Sequence, residues 1–215
     1  MAPWGMGNKD FDLDDAYGLK TPEELLRYYR TLAPSYDADF AAAMDFRVPQ
    51  LIAEAYAAEA IGPVLDVGAG TGLLAAELHK RGVTPVDGVD ISPEMIAVAR
   101  GKGVYRDLHL GDVTTRMDFP DSSYLGCVSS GTFTFGHAGP EAIEEMLRVT
   151  ESGGLFALSV HSGVYAAAGF AARFSALEEE GSIMCFRAAD IAFYGPRATG
   201  PHAGDHGFLV TFRKV

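Results

Sequence analysis

The chain has 215 residues and a formal net charge of −12, with 48% hydrophobic and 21% charged residues. This length and apolar content predict one globular domain with a sizeable core and exclude an intrinsically disordered chain. The acidic balance argues against DNA or RNA as a substrate, because it repels phosphate backbones.

Membrane and metal sites are not expected. No apolar run approaches the length needed to cross a bilayer, so we predict no membrane partner. Residues 9–15 are acidic and lack the apolar core of a signal peptide, which favours the cytoplasm. The two cysteines, Cys127 and Cys185, form no C-x-x-C pair. We therefore predict no metal site and interpret both as buried small apolar residues.

The N-terminal section reads as helical. We expect residues 1–20 to be irregular. Thr21–Glu24 then begins a helix, with Thr as the cap, Pro in the first turn and Glu completing a capping box. A second helical region follows Tyr36 and is split or restarted by Pro49. Tyr28, Tyr29 and Tyr36 could form a lid, although half-buried packing is the commoner role of such residues.

The most informative stretch is Val64–Ala75. It begins as a short apolar run, continues through Gly68, Gly70 and Gly72, and ends in a helix-compatible pattern. Strand, glycine turn and helix together predict a nucleotide-type loop. Glycines let a ligand approach the backbone, and the N–H groups at the helix start favour a negatively charged group.

Spacing and charge select the ligand class. A dinucleotide fingerprint requires G-x-G-x-x-G, but the third position is occupied by Leu73. Asp66 immediately precedes the loop and would repel a pyrophosphate. A ligand that carries a cation beside a carboxylate suits this loop better, and S-adenosylmethionine is such a ligand.

Strands and helices alternate after this loop. We predict helices at 72–81, 92–101 and 139–149, and strands at 86–90, 107–110, 127–130 and 155–160. Such alternation predicts a parallel sheet with helices on both faces. The last third differs, with a helix at 164–179 and strands at 183–193 and 208–214. Their short link allows only an antiparallel pair if they are neighbours.

Val64–Ala75 resembles motif I of class I S-adenosylmethionine-dependent methyltransferases, and the resemblance extends from about Tyr28 to about His161. Within that family, the phrases at 88–95, 103–108 and 131–137 look like the Williams–Beuren-region methyltransferase-like group. The resemblance implies an α/β, Rossmann-like, doubly wound sheet of seven strands, mostly parallel with an antiparallel last strand and helices on both faces.

The resemblance also suggests how the chain is organised and what it binds. We interpret 1–215 as a single domain, made of a helical lid region (1–60), a cofactor-binding core (61–161) and a C-terminal helix with a strand pair (162–215). S-adenosyl-L-methionine is the expected cofactor. Residues beyond the carboxyl ends of the strands should hold it. The predicted cofactor residues are Tyr36, Asp66, Gly68, Ala69, Gly70, Gly72, Asp90, Ile91, Asp112, Val113 and Ser130.

Four of these residues have predicted roles. Asp90 would accept hydrogen bonds from both ribose hydroxyls, and Ile91 would lie against the adenine ring. Asp112 would bond the adenine amino group, with the Val113 N–H directed at a ring nitrogen. The alternatives are a solvated helix-capping Asp90, ordinary core packing of Ile91 and a turn aspartate at 112.

Methyl transfer requires orientation above all, and a base only where the acceptor must lose a proton. His137 and His161 are the catalytic candidates, with a loop or cap histidine as the alternative. Four aromatic residues could line an apolar acceptor pocket, although core packing is commoner: Phe133, Phe135, Tyr165 and Phe170.

The sequence therefore predicts a methyltransferase that acts on a small-molecule methyl acceptor by direct in-line transfer, as a monomer or homodimer. Two alternatives stay open. One is a nicotinamide-dependent oxidoreductase, and the other is a non-catalytic cofactor-binding protein of the same fold.

Overall fold

The computed structural model describes residues 13–215, in which seven strands form one sheet. The strands are β1 (Val64–Val67), β2 (Val86–Asp90), β3 (Asp107–Leu110), β4 (Tyr124–Phe133), β5 (Thr150–His161), β6 (Ile183–Ala192) and β7 (His206–Lys214). The helices are α1 (Leu13–Tyr17), α2 (Pro22–Leu32), α3 (Val48–Ala57), α4 (Leu73–Lys80), α5 (Pro93–Gly101), α6 (Ala142–Val149), α7 (Ser162–Tyr165) and α8 (Phe170–Glu179). A π-helical segment spans Asp37–Ala42.

The strand order is β3-β2-β1-β4-β5-β7-β6. The first five strands are parallel, and β7 lies between β5 and β6, antiparallel to both. The predicted fold class is confirmed, including the inserted antiparallel last strand. The order reverses between β1 and β4, and open α/β sheets bind their ligands beyond the carboxyl ends at such a switch point.

Local start signals act as predicted. The Thr21 hydroxyl accepts the Glu24 N–H at 3.2 Å, and Pro22 occupies the first turn of α2. The Ser92 hydroxyl likewise accepts the Met95 N–H at 3.2 Å and caps α5. Each cap satisfies a backbone donor that would otherwise have no partner inside the helix.

Several predicted boundaries were wrong. The structure forms α1 where irregular chain was expected, while residues 1–12 lie outside the described part. The predicted helix at 164–179 is divided into α7 and α8, because Gly169 adopts a left-handed conformation with φ of +90°. Cys185 is exposed at an irregularity of β6, so its predicted burial is wrong, whereas Cys127 is buried.

The sheet carries apolar residues on both faces. On one face Phe156 and Phe212 stack with their ring centroids 4.4 Å apart, and both are fully buried. On the other face Tyr56 is fully buried beside Gly126. A Cβ at Gly126 would lie 2.6 Å from the Tyr56 hydroxyl, so only glycine admits this tyrosine. Along the described chain, every helix is too short or too polar to cross a membrane.

Phe212→Ala should destabilise the fold strongly. The substitution leaves a cavity beneath the sheet, and such losses cost about 3–5 kcal/mol. Urea unfolding would measure the change. The control is Val215→Ala, at a position 51% exposed, which should change stability by less than about 0.5 kcal/mol. Equal effects of the two substitutions would contradict this account of the core.

Candidate functional site

A cavity of about 330 Å³ opens beyond the carboxyl ends of β1, β2 and β4, at the switch point. Its volume falls in the ~300–1,000 Å³ range of small-molecule sites. The loop after β1, the end of β2, the turn after β3 and the end of β4 form its base, and α2 and Tyr36 contribute to its wall. Ten predicted site residues line it: Tyr36, Gly68, Ala69, Gly70, Asp90, Ile91, Asp112, Val113, Ser130 and His137.

Two backbone hydrogen bonds join the loop after β1 to β2. The N–H groups of Gly68 and Ala69 both donate to the Val89 carbonyl, at 2.9 and 3.0 Å. Gly68 has a φ of +70°, and a Cβ there would lie 2.0 Å from the Thr132 hydroxyl oxygen. This position therefore requires glycine on both conformational and steric grounds.

Gly72 does not line the cavity. It begins α4 with a φ of +88°, and a Cβ there would meet the Tyr105 ring at 3.0 Å and Ala99 at 3.4 Å. Its position outside the cavity lining does not support the predicted cofactor contact. The glycine instead allows α4 to begin close to the chain around α5.

Asp90 lies at the end of β2 and binds two backbone donors. Its Oδ2 accepts the Gly70 N–H at 2.7 Å, and its Oδ1 accepts the Ser92 N–H at 2.8 Å. Burial raises the pKa of this carboxyl, and the backbone N–H groups act in the opposite direction. Each carboxylate oxygen can accept more than one hydrogen bond. Both Asp90 oxygens can therefore still accept hydrogen bonds from hydroxyl groups of a ligand.

Asp66 lies beneath the loop and is only 1% exposed. Its Oδ2 accepts the Tyr105 hydroxyl at 2.7 Å, while its buried Oδ1 has no partner among the described residues. Burial raises the Asp66 pKa to about 7; the Tyr105 hydrogen bond lowers it and the negative charge of Asp90 raises it. Asp66 does not line the cavity, so this geometry does not support a direct contact between Asp66 and a cationic ligand group.

The turn after β3 forms the opposite side of the cavity. Asp112 Oδ1 accepts the Thr114 N–H at 2.8 Å and the Thr114 hydroxyl at 2.6 Å. This is the turn role that was the alternative for Asp112. Val113 is buried and Ile91 is partly exposed, and both present apolar surface to the cavity.

Asp37, Thr71 and Lys102 form a hydrogen-bonded cluster, called the latch below, that joins the N-terminal section to the loop after β1. Asp37 accepts the Thr71 hydroxyl at 2.5 Å and the Lys102 ammonium at 2.6 Å. Lys102 also donates to the Thr71 carbonyl at 2.6 Å. The π-helical segment is thereby tied to the loop, which keeps Tyr36 on the cavity wall. The sequence analysis predicted a cofactor role for Tyr36, but no motif pointed to Lys102, which lies 65 residues beyond Asp37.

His137 has a defined tautomer. Its Nδ1 lies 2.6 Å from the Phe135 carbonyl, which can only accept, so Nδ1 carries the hydrogen. Its Nε2 therefore accepts the Tyr29 hydroxyl at 2.9 Å. Burial lowers the His137 pKa, against a raising effect of the Phe135 carbonyl. The ring is consequently neutral at physiological pH.

His161 does not lie at the cavity. Its Nδ1 accepts the Gly163 N–H at 3.0 Å and caps α7. The ring packs against Tyr17, Phe135 and Phe193. This position offers no contact with a ligand in the cavity, so the catalytic prediction for His161 is not supported by the geometry.

The predicted aromatic acceptor pocket is not formed. Phe133 and Phe170 are each 1% exposed and pack together in the core, with centroids 5.4 Å apart. Phe135 packs against Tyr17 at 5.2 Å, and Tyr165 packs against Phe208 at 4.3 Å. The four side chains satisfy the core-packing alternative instead.

Comparison with known proteins identifies the central region. Residues 65–158 match the family described as methyltransferase domain. Human methyltransferase-like protein 27 is 33% identical over 153 residues, which is 68% of this chain and 62% of that protein. The matched region is thus similar to methyltransferase domains of the class I, S-adenosylmethionine-dependent type. The comparisons support the class I type predicted from the sequence, without its subgroup, and they confirm the predicted cofactor.

Solved structures agree on the fold. The [4+2]-cyclase SpnF has a TM-score of 0.67 at 18% identity, over 92% of this chain and 98% of that one. A methyltransferase from Thermotoga maritima, a possible histamine N-methyltransferase, has a TM-score of 0.64 at 16% identity. The match covers 88% of this chain and 99% of that one. The methyltransferase domain therefore has a Rossmann-like fold, and this chain spans somewhat under two thirds of the human relative's length.

The residues present fit an adenosyl donor. The cavity of the methyltransferase domain combines exposed loop backbone, a carboxylate at the end of β2 and apolar surface at Ile91 and Val113. Ser130 Oγ is buried there without a partner among the described residues, and a bound ligand could supply one. Across the described chain, no group of three or more His, Cys, Asp or Glu side chains is arranged to hold a metal ion.

Asp66→Asn should flatten the pH dependence of stability. The Asp66 pKa of about 7 exceeds the ~3.9 of an unfolded aspartate, so the folded state binds the proton more tightly. The stabilisation is complete below about pH 4 and is lost as pH rises through 7. Urea unfolding between these values should show a shallower fall for the Asp66→Asn variant than for the natural chain.

The control is Asp107→Asn, because the Asp107 side chain is 70% exposed. This variant should keep the natural pH dependence. An unchanged slope in Asp66→Asn would show that the Asp66 carboxyl titrates normally.

Lys102→Met should loosen the latch. Losing a hydrogen bond from a charged group costs about 1.5–3 kcal/mol, so local opening at residues 37–42 should become more frequent. Native-state hydrogen exchange would measure faster exchange in that segment. Lys80→Met is the matched control, since Lys80 pairs with Glu77 at the surface of α4 and lies away from the latch. Equal protection of residues 37–42 in both variants would contradict the latch.

Proposed function

We propose that this chain is an S-adenosylmethionine-dependent methyltransferase that transfers a methyl group in line to a small-molecule acceptor. The observation that carries the proposal is the convergence of Gly68, Gly70, Asp90 and Asp112 on one cavity of about 330 Å³ at the switch point. The glycine spacing and the acids suit a cationic donor, whereas a pyrophosphate would be repelled.

In this proposal Asp90 accepts hydrogen bonds from the ribose hydroxyls while it keeps its two backbone donors. Ile91 and Val113 pack against the adenine ring, and Asp112 accepts from the adenine amino group. The Ala69 and Gly70 backbone lies close to the methionyl part. Gly72 and Asp66 act indirectly, since Gly72 shapes the start of α4 and Asp66 lies beneath the loop.

The bound donor supplies an electrophilic methyl group on a sulfonium, which is already a good leaving group. The residues of the chain have to bind, orient and exclude water, and orientation can account for about 7–11 kcal/mol of a barrier. Tyr29 and Tyr36 line the cavity, and the Asp37 latch ties the segment after Tyr36 to the loop. His137 is the remaining candidate base, because His161 lies away from the cavity.

The acceptor class is inferred from charge. With 29 acidic against 17 basic residues, the chain should disfavour a nucleic-acid acceptor. The phrases at 88–95, 103–108 and 131–137 also lead us to propose a place near the Williams–Beuren-region group. Monomer or homodimer, cytoplasmic location and one domain over 1–215 remain predictions.

Two other functions were considered. No comparison favours a nicotinamide-dependent oxidoreductase, and the loop spacing disfavours it. A protein of this fold that does not transfer methyl groups is a stronger rival, because the similar structure of SpnF is described as that of a cyclase. Binding and turnover experiments distinguish these cases.

Asp90→Ala should weaken binding of S-adenosylhomocysteine at least about tenfold, or ~1.4 kcal/mol, because two charge-assisted hydrogen bonds to ribose are lost. Isothermal titration calorimetry would measure micromolar or better binding to the natural chain and no binding of NADH. Asp107→Ala, at the exposed start of β3, should bind normally. Binding that is equal in the natural chain and Asp90→Ala would overturn the ribose assignment, and NADH binding in the same cavity would overturn the proposal.

A further inference from the structure

A second, smaller cavity adjoins the first. It has a volume of about 50 Å³, and Tyr29, Tyr36, Gly131 and His137 line both cavities. A ligand group placed in the smaller cavity would therefore lie next to the site proposed for the methyl donor. The remaining wall comes from α1, α3, the π-helical segment and the chain after β6.

The wall of the second cavity is aromatic and carries no charge. Phe40, Phe46 and Tyr194 contact one another at centroid distances of 5.2 to 6.1 Å, and Tyr17 and Phe193 complete the ring-lined part. Among the described residues, its lining contains no Asp, Glu, Lys or Arg. A charged group would lose its hydration there without gaining an ionic partner, which is strongly unfavourable.

The volume limits what can enter. A water-sized group needs roughly 10–15 Å³ in this measure, so about four such groups fit. The cavity therefore accepts a small apolar substituent or the edge of an aromatic ring, with the rest of the acceptor in the larger cavity. Aromatic walls favour an aromatic edge, because ring pairs prefer edge-to-face contact.

His137 and Tyr29, which line both cavities, can accept protons from a ligand. His137 Nδ1–H donates to the Phe135 carbonyl, so Nε2 can only accept, and it does so from the Tyr29 hydroxyl. The Tyr29 oxygen still has lone pairs that can accept a hydrogen bond from a hydroxyl group of a ligand. Tyr29 can thus receive one proton while it passes its own to His137.

We propose that the methyl acceptor is an uncharged phenol, whose apolar ring edge or substituent enters the aromatic cavity and whose hydroxyl donates to Tyr29. This rests on the proposed methyl transfer. A phenol is favoured over an aliphatic alcohol because its ordinary pKa of about 10 is within reach of an imidazole base, whereas the ~15.7 of water lies far above it.

The reaction step is balanced in atoms and charge. The phenol proton moves to the Tyr29 oxygen as the Tyr29 proton moves to His137 Nε2. The phenol oxygen forms a C–O bond to the methyl carbon while the C–S bond breaks, and its electron pair stays on sulfur. One positive charge disappears from the sulfonium and one appears on the imidazolium, so the site neither gains nor loses net charge.

The test uses the full chain saturated with S-adenosylhomocysteine and three probes: 4-methylphenol, 4-methylbenzoate and 4-methylcyclohexanol. Calorimetry should detect binding of 4-methylphenol and much weaker binding of the other two. Ala16 is buried on the wall of the aromatic cavity, so Ala16→Leu should fill it and weaken phenol binding at least about tenfold. Ala16→Val is a milder substitution should the leucine variant fail to fold.

The matched control is Ala97→Leu on the exposed face of α5, which should bind the phenol normally. All these variants should bind S-adenosylhomocysteine like the natural chain. Failure of that titration in the natural chain would remove the proposed function, whereas loss of phenol binding alone would remove only this inference. Equal binding of 4-methylbenzoate, or unchanged phenol binding in both Ala16 variants, would also overturn it.

Turnover tests the proton path. With S-adenosylmethionine, the natural chain should convert 4-methylphenol to its methyl ether. Tyr29→Phe and His137→Gln should lower kcat at least about tenfold, in the range expected of acid–base groups. KM should change little in His137→Gln, because His137 acts through Tyr29 and makes no contact with the phenol in this proposal. A change confined to KM, or methylation of the phenol carbon instead of its oxygen, would contradict the assignment.

Discussion

The hydrogen bond from the Gly70 N–H to the Asp90 carboxylate, at 2.7 Å, is the contact on which the site depends. It joins the loop after β1 to the end of β2, so the loop backbone and the acid are held in a fixed relation to each other. Asp90 also accepts a hydrogen bond from the Ser92 N–H, so the start of α5 is held to the same carboxylate as the loop. A carboxylate held by two backbone donors remains ionised more readily, and it presents its other lone pairs to the cavity without needing to reorganise.

Three buried or partly buried aspartates lie around this contact. Asp37, Asp66 and Asp90 all lie near the loop, and Lys102 is the cation that the latch brings to one of them. The arrangement selects ligands by sign, because a pyrophosphate would meet repulsion where a sulfonium meets attraction. It also explains why the fold alone does not decide function. The same sheet binds dinucleotides elsewhere when its glycine spacing and neighbouring charges differ.

The sequence predicted those parts that depend on local chemistry. Proline, serine and threonine at helix starts located α2 and α5, and β2 and β3 were predicted to the residue because glycines and polar turns flank them. It could not predict contacts made across the fold. Asp66 and Gly72 belong to the right motif, yet their surroundings are set by Tyr105, which arrives from another part of the chain. Phe133 is the last residue of β4 and Phe170 begins α8, but the apolar pattern of an element does not say which of its side chains reaches a cavity.

Asp66 shows how stability and binding are linked in this domain. Its carboxyl is buried, one of its oxygens has no partner among the described residues, and its pKa of about 7 leaves it partly protonated near neutral pH. A positive charge in the adjacent cavity favours the ionised form, even without direct contact, because the field of a cation is weakly screened in a buried site. Binding of a cationic donor must therefore release protons from Asp66, and raising the pH must in turn strengthen binding. The same acid that weakens the fold at neutral pH thereby contributes to its preference for a positively charged ligand.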